Sequence, residues 1–307
     1  METYDSVIIG AGPGGLTAAL YMCRFGVKTA LVERVAPGGQ MLNTFEIGNY
    51  PGFPEGLAGW RLAENFALHL EGLKLDHITQ PVKTITPDGK LFYIELENGT
   101  IAAKTVIIAT GAVPKRLGLP GETRLLGRGV SYCAMCDGMF FRGRDVAMVG
   151  GGNSAVEEAL HLSNLVNKLY IIHRRDRFRA DRIHQDKLRL HCHNVELVLG
   201  HEITDIHGET GLTGVTVTPV AGGEPRQLDV QGLFVFIGIV PTSDFAPPDV
   251  AKCPAGFIKT DCEMRTNISG LFAAGDVRDK QCRQVVTAVG DGATAAYSAF
   301  DYLEGLE

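Results

Sequence analysis

The chain has 307 residues, 45% of them hydrophobic and 21% charged, with a net charge of −6; this is the size of about two domains and an ordinary globular composition. The negative balance excludes a general attraction to nucleic acid or to an anionic membrane surface. Seven cysteines, an odd number scattered through a long chain, exclude a secreted disulfide framework.

The N-terminus, Met1-Glu2-Thr3-Tyr4-Asp5, has neither the basic nor the apolar region of a signal peptide. The apolar runs are strand-length, too short to span a bilayer. The expectation is a soluble, cytoplasmic protein in a reducing compartment. Val7-Ile8-Ile9 is a short buried strand that runs into Gly10-x-Gly12-x-x-Gly15, a helix over 16–25 and a second strand over 29–32. This is a βαβ unit. The first glycine makes the tight turn, the second admits a pyrophosphate to the backbone, and the third lets helix pack on strand. The phosphates would sit on the helix N-terminus, where free N–H groups favour an anion. Residues 90–96 and 100–103 alternate around Glu97-Asn98-Gly99 and read as a hairpin. Val106-Ile107-Ile108 is a continuous apolar strand leading to Gly111-Ala112-Val113-Pro114.

Cys133-Ala134-Met135-Cys136-Asp137-Gly138 comes next, and then the opening pattern returns. Gly150 lies 140 positions after Gly10, and Gly150-x-Gly152-x-x-Ala155 again follows an apolar strand and opens a helix over 155–165. A strand over 169–172 follows, and Gly238-Ile239-Val240-Pro241 echoes the exit at Gly111. Leu271-Phe272-Ala273-Ala274 ends in Gly275-Asp276, and a helical pattern runs over 285–303. This tail has no fingerprint of its own and is placed with the first βαβ unit.

The expected fold class is therefore α/β, with two Rossmann-like dinucleotide-binding domains. The first domain is discontinuous, 1–112 and 244–307. The second, 116–240, is inserted through linkers at 112–116 and 240–244.

The two nucleotide sites differ at the end of the second strand. Glu33 stands eighteen residues after Gly15, and an acidic residue there accepts from a free ribose 2′-OH, as in FAD or NAD. The matching position after Ala155 is His173, followed by Arg174-Arg175-Asp176-Arg177-Phe178-Arg179. Guanidiniums in place of the carboxylate suit a 2′-phosphate, so the second site reads as NADP.

The dithiol admits three readings: half of a zinc site, a chance pair of thiols, or a redox pair. Zinc needs two further ligands. Cys23, Cys192, Cys253, Cys262 and Cys282 offer no second close pair, and His191-Cys192-His193 has the wrong spacing. Asp137 beside the sulfurs favours redox chemistry, because thiol–disulfide exchange needs a proton carrier.

The motif order resembles the low-molecular-weight thioredoxin reductases of bacteria over nearly the whole chain. Gly38-Gly39-Gln40-Met41, Asn49-Tyr50-Pro51-Gly52, Ala109-Thr110-Gly111, Cys133-Ala134-Met135-Cys136-Asp137-Gly138, Gly150-Gly151-Gly152-Asn153-Ser154-Ala155, the arginine run after His173, Gly275-Asp276 and Arg283-Gln284-Val285 carry the resemblance. It implies a homodimeric FAD enzyme that carries hydride from NADPH to a disulfide and on to thioredoxin, with Cys133, Cys136 and Asp137 in the chemistry. It implies that Gly10, Gly12, Gly15, Glu33, Gln40, Asn49, Gly111, Gly275, Asp276 and Gln284 serve FAD. Gly150, Gly152, Asn153, Ser154, Ala155, His173, Arg174, Arg175 and Arg179 would serve NADPH. Two departures from the family pattern are visible: Met135, where Thr is frequent, and Ile239-Val240, where a more polar pair is common.

Overall fold

The computed structural model describes residues 1–44 and 47–306. They form two compact units, the first made of Met1–Asn43, Ile47–Val113 and Val240–Glu307 and the second built on Pro114–Ile239.

In the first unit β1 (Thr3–Ile9) turns at the glycines into α1 (Pro13–Arg24) and β2 (Thr29–Glu33). α2 (Gly59–Leu68), β3 (Leu75–Thr79), β4 (Val82–Asp88), β5 (Leu91–Leu96) and β6 (Thr100–Ile108) follow. β3, β2, β1 and β6 are parallel neighbours in that order. Such a sheet is covered on both faces, which is why its strands read as unbroken apolar runs. Alternation sends Val7 and Ile9 to a core with Ile85, Phe92 and Ile94, and Ile8 to another with Leu16, Met22 and Leu31. β4 and β5 form an antiparallel pair, β5 and β6 another. The β5–β6 turn is the one predicted: the Leu96 N–H donates to the Gly99 carbonyl at 2.9 Å, and Gly99 has φ +99°.

β7 (Ala112–Pro114) precedes the second unit. This contains α3 (Pro120–Arg124), β8 (Val130–Ser131), α4 (Ala134–Asp137), β9 (Asp145–Gly150), α5 (Asn153–Ser163), β10 (Lys168–His173) and α6 (Arg182–His191). β11 (Val195–Leu199), β12 (His201–His207), β13 (Gly214–Pro219), β14 (Arg226–Leu228) and β15 (Gly232–Phe236) follow, then β16 (Ile239–Pro241). Its main sheet is parallel in the order β11-β10-β9-β15-β8, with β12-β13-β14 as a separate antiparallel sheet; β7 and β16, where the chain passes from one unit to the other, pair as two strands. The 140-residue repeat is therefore structural: β3-β2-β1-β6 in one unit corresponds to β11-β10-β9-β15 in the other.

β17 (Leu271–Ala273) and α7 (Val285–Glu304) complete the first unit. Along one side of β6, residues 100–103 pair with β5 and residues 106–108 pair with β17. Among the described residues no helix is long and apolar enough to cross a membrane.

α1 and α5 begin at Pro13 and Asn153, slightly before the predicted starts at 16 and 155. Gly12 and Gly152 act as N-caps, and proline suits the first helical position because its missing N–H is not needed there. Gly14 and Gly15 then lie inside the helix, where they serve close packing. α7 lies so near that a Cβ at Gly292 would press into the Gly14 carbonyl oxygen. Gly292→Ala is expected to cost about 1–3 kcal/mol of stability as overpacking, seen as a lower urea midpoint with an unchanged slope. An unchanged midpoint would show that the helices can separate freely.

Candidate active site

Three groups of residues at carboxyl ends of parallel strands carry the predicted chemistry, the usual place for ligands in such sheets.

The first is the turn after β1. Gly10 has φ +100°, and a Cβ there would stand 2.6 Å from the Ala109 carbonyl oxygen. A Cβ on Gly15 would press into the Gly10 carbonyl, whereas one on Gly12 would meet nothing within 4 Å. Gly12 therefore leaves open the side on which the α1 N-terminus, with no side-chain cap, presents its amide groups. Glu33 at the end of β2 accepts the Ala11 N–H at 2.8 Å and the Val35 N–H at 3.1 Å. The carboxylate thus shapes the glycine turn while its remaining lone pairs stay free. Gln40 lies on a 3₁₀ turn over Gly39–Asn43 and accepts from the Asn43 amide at 3.3 Å. Asn49 and Gln284, 235 positions apart, meet: the Asn49 Nδ2 donates to Gln284 Oε1 at 3.0 Å. Gly111 has φ +68° and Gly275 φ +73°.

Asp276 follows β17. Its Oδ1 is buried with no partner, and so is Nε of Arg283. Burial pushes the Asp276 carboxyl up, opposed by the charges of Lys280 and Arg283. One acceptor and one donor are thus left unsatisfied in the same neighbourhood, at a cost that a ligand's polar groups would remove.

The second group is the turn after β9. A Cβ on Gly150 would stand 2.5 Å from the Phe236 carbonyl oxygen, while Gly152 is again open. Ala155 is buried against β9. Asn153 is already engaged: it donates to the Asp181 carboxylate at 2.9 Å and accepts the Asp181 N–H at 2.8 Å. Ser154 is exposed. His173 is buried, its ring lying over the Gly151 backbone, where an added Cβ would stand 2.5 Å from it. Burial, then the charges of Arg179, Arg175 and Arg174, push its pKa down and favour the neutral ring. The chain after it curls back, with the Arg179 N–H on the Gly151 carbonyl at 2.7 Å. Arg174, Arg175, Arg177 and Arg179 are exposed.

The third group is the dithiol after β8. Cys133 and Cys136 form a disulfide with their Cα atoms 5.3 Å apart. Cys133 is the N-cap of α4, and its Sγ accepts the Cys136 N–H at 3.1 Å. The Ser131 hydroxyl donates to Asp137 Oδ2 at 2.6 Å and accepts the Cys133 N–H at 3.1 Å. Asp137 Oδ1 is buried without a partner. Burial pushes the Asp137 carboxyl up, and the Ser131 bond opposes the shift. A second buried carboxyl faces the same turn from α5: Glu158 takes the Met135 N–H, its Oε2 has no partner, and burial pushes it up as well.

Sequence reasoning did not single out Ser131 or Glu158, and it named Arg283 only within the Arg283-Gln284-Val285 motif. Ser131 sits two residues before Cys133, so its place was within reach. Glu158 lies one helical turn beyond Ala155 on the fingerprint helix, but nothing local says which way it points. Among the described residues no cluster of His, Cys, Asp and Glu is fit to hold a metal.

Residues 4–292 match the family described as pyridine nucleotide-disulphide oxidoreductase, and the two glycine turns on parallel strands and the disulfide beside a buried carboxyl are what such an enzyme needs. Thioredoxin reductases of Treponema pallidum (strain Nichols) and Bacillus subtilis (strain 168) are each 42% identical over 308 residues, covering 100% of this chain and 100% and 96% of theirs. The crystal structure of the thioredoxin reductase of Streptococcus pyogenes matches with a TM-score of 0.90 at 42% identity, over 99% of both chains. The chain belongs to the low-molecular-weight thioredoxin reductases.

Proposed function

We propose that this protein takes electrons from NADPH through bound FAD, holds them on Cys133 and Cys136, and delivers them to the disulfide of a thioredoxin. The observation that carries this reading is a disulfide at a helix N-cap beside a buried carboxyl, in a chain with two open dinucleotide turns.

FAD is assigned to the first unit. The open side of Gly12 and the uncapped α1 N-terminus suit its phosphates, Glu33 its ribose, and the unpartnered Asp276 and Arg283 atoms its hydroxyl and acceptor groups. NADPH is assigned to the second unit, with Gly152 and the α5 N-terminus on the pyrophosphate and Arg174, Arg175 and Arg179 on the 2′-phosphate. Neutral His173 supports the turn beneath and adds no charge. When bound, the two cofactors supply a pair of electrons taken from the nicotinamide as hydride.

The remaining steps belong to the chain's own sulfurs. Two electrons break the Cys133–Cys136 bond. The Cys136 N–H on Cys133 Sγ stabilises a thiolate there, as a helix start does. That thiolate attacks one sulfur of the partner's disulfide, which breaks and leaves a mixed disulfide. Cys136 then attacks the Cys133 sulfur, restoring the Cys133–Cys136 bond and releasing the partner as a dithiol. Asp137, protonated more readily than an ordinary carboxyl, supplies the proton for the departing sulfur. A homodimer in the cytoplasm is assigned on the family resemblance. The free thiols of Cys23, Cys192, Cys253, Cys262 and Cys282 suit a reducing compartment.

Following NADPH oxidation with a panel of oxidised disulfide proteins tests the reading. Turnover with thioredoxin supports it. Turnover only with another disulfide protein would replace the partner, and none with any would remove the activity.

The raised Asp137 carboxyl also sets a pH dependence of stability. The folded chain holds this proton to a higher pH than the unfolded chain. The folded state therefore binds more protons between the ordinary and the raised pKa, and stability from this group falls as pH rises through that window. Asp137→Asn is expected to melt above the parent at about pH 8, with the gap closing as pH falls below the ordinary carboxyl pKa of about 4, where the parent's carboxyl is protonated folded and unfolded alike. Melting curves that stay parallel across that range would contradict the raised carboxyl.

A further inference from the structure

Asp291, on α7, lies outside every motif discussed above, yet three donors from one short segment converge on its Oδ2. These are the Gly275 N–H at 3.0 Å, Arg278 Nη1 at 2.9 Å and Lys280 Nζ at 2.8 Å. Arg278, Lys280 and Asp291 side chains are only 11–12% exposed. The segment that supplies the donors carries Asp276, whose Oδ1 is buried and unpartnered. An unpaired buried carboxylate oxygen within reach of the charges of Lys280 and Arg283 is unexpected, because pairing is what relieves the cost of burial. Here Lys280 is pinned elsewhere, on Asp291.

Arg278 and Lys280 are not pinned equally. Arg278 has two further anchors, Nε on the Thr260 hydroxyl at 2.7 Å and Nη2 on the Asp261 carbonyl at 3.4 Å. Among the described residues, Lys280 has the Thr287 hydroxyl at 3.0 Å as its one contact besides Asp291. Lys280 is also the cation that acts most on the Asp276 carboxyl, ahead of Arg283. Arg283 is held in place by the Phe257 ring, 4.3 Å from its guanidinium carbon, and by the Arg278 carbonyl on Nη2, with Nε left unpartnered. Lys280 is therefore the side chain free to swing onto Asp276 once Asp291 lets go.

We propose that Asp291 is a positioning residue: by holding Lys280 and Arg278 on its own carboxylate, it keeps the buried Asp276 oxygen open to accept a hydroxyl of the cofactor. The proposal rests on the reading that the Gly275-Asp276 turn holds FAD. Without Asp291, a Lys280–Asp276 pair forms, and the cofactor hydroxyl must displace it.

The test is FAD affinity of the full-length protein, read by flavin fluorescence, with circular dichroism of the same samples. Asp276→Asn comes first. If its FAD affinity equals the parent's, the assignment of this turn to FAD fails and the proposal fails with it. If Asp276→Asn binds more weakly, Asp291→Asn is expected to weaken FAD binding at least about tenfold, by the loss of one charge-assisted contact. Adding Lys280→Met to Asp291→Asn is expected to restore affinity to within about threefold of the parent, since no mobile cation is left to occupy Asp276. A merely structural Asp291 would give no rescue. Unchanged affinity in Asp291→Asn, or weakening that Lys280→Met does not repair, overturns the proposal. If Asp291→Asn loses the folded spectrum, Asp291→Glu, which keeps the charge but displaces it, carries the same comparison with and without Lys280→Met.

Discussion

Replacing Cys136 with Ser is expected to abolish thioredoxin reduction, and Cys133→Ser is expected to do the same. A serine oxygen forms no bond that can store and return two electrons, so neither variant closes the cycle that ends in a restored Cys133–Cys136 disulfide. The two variants should differ in thiol chemistry. In Cys136→Ser the Cys133 sulfur keeps the N–H of residue 136 that reaches it at 3.1 Å in the parent. In Cys133→Ser the remaining Cys136 has no such donor among the hydrogen bonds described here. Cys133 should therefore be alkylated at lower pH than Cys136, measured with each variant in turn. The reverse order would exchange the two sulfurs' roles. Asp137→Asn keeps both sulfurs and should lower thioredoxin reduction by about 10²- to 10⁴-fold, the usual contribution of a general acid or base. Activity close to the parent's would take Asp137 out of the chemistry.

Neutralising Arg174 and Arg175 together is expected to raise KM for NADPH by about 10²-fold or more and to leave KM for NADH almost unchanged. Each charge-assisted bond to a phosphate is worth about 1.5–3 kcal/mol. The arginines are exposed, so solvent screening places the effect towards the lower end. Raised ionic strength should erode the parent's preference for NADPH and leave the variant indifferent. Equal losses with both coenzymes would mean that the arginines support the turn rather than read the 2′-phosphate.

Much of this arrangement is written locally. The turns at Gly10 and Gly150, the β5–β6 hairpin and the dithiol at a helix start all rest on short patterns. A glycine spacing or an alternation has a physical cause within a few residues. The start of α1 reads late because Gly14 and Gly15 look like turn residues; the nearness of α7 explains glycine at 14 and the close Gly10 carbonyl explains it at 15. The antiparallel sheet of β12, β13 and β14 escaped notice because its buried residues, Ile203, Ile206, Val215 and Val217, are thinly spread among polar ones. The contacts that finish the sites were the least legible. Asn49 with Gln284 and Asp291 with the 275–280 segment join residues far apart in sequence. No spacing rule connects an amide or a carboxylate to a partner brought near only by the fold.

β6 borrows a neighbour, β17, from more than 160 positions downstream, and this governs the order in which the molecule can be assembled. On a ribosome a nascent chain ordinarily matures from its beginning. Here the main sheet of the second unit draws all its strands from Val130–Phe236 and can close as soon as that stretch clears the exit tunnel. The first unit cannot, because the Ile107–Phe272 pairing and the seat of α7 on α1 await residues synthesised last. Its early strands must wait with apolar faces uncovered while the inserted unit folds. A stall or truncation between 240 and 270 would therefore release a finished second unit attached to an open sheet, the kind of species that chaperones retain.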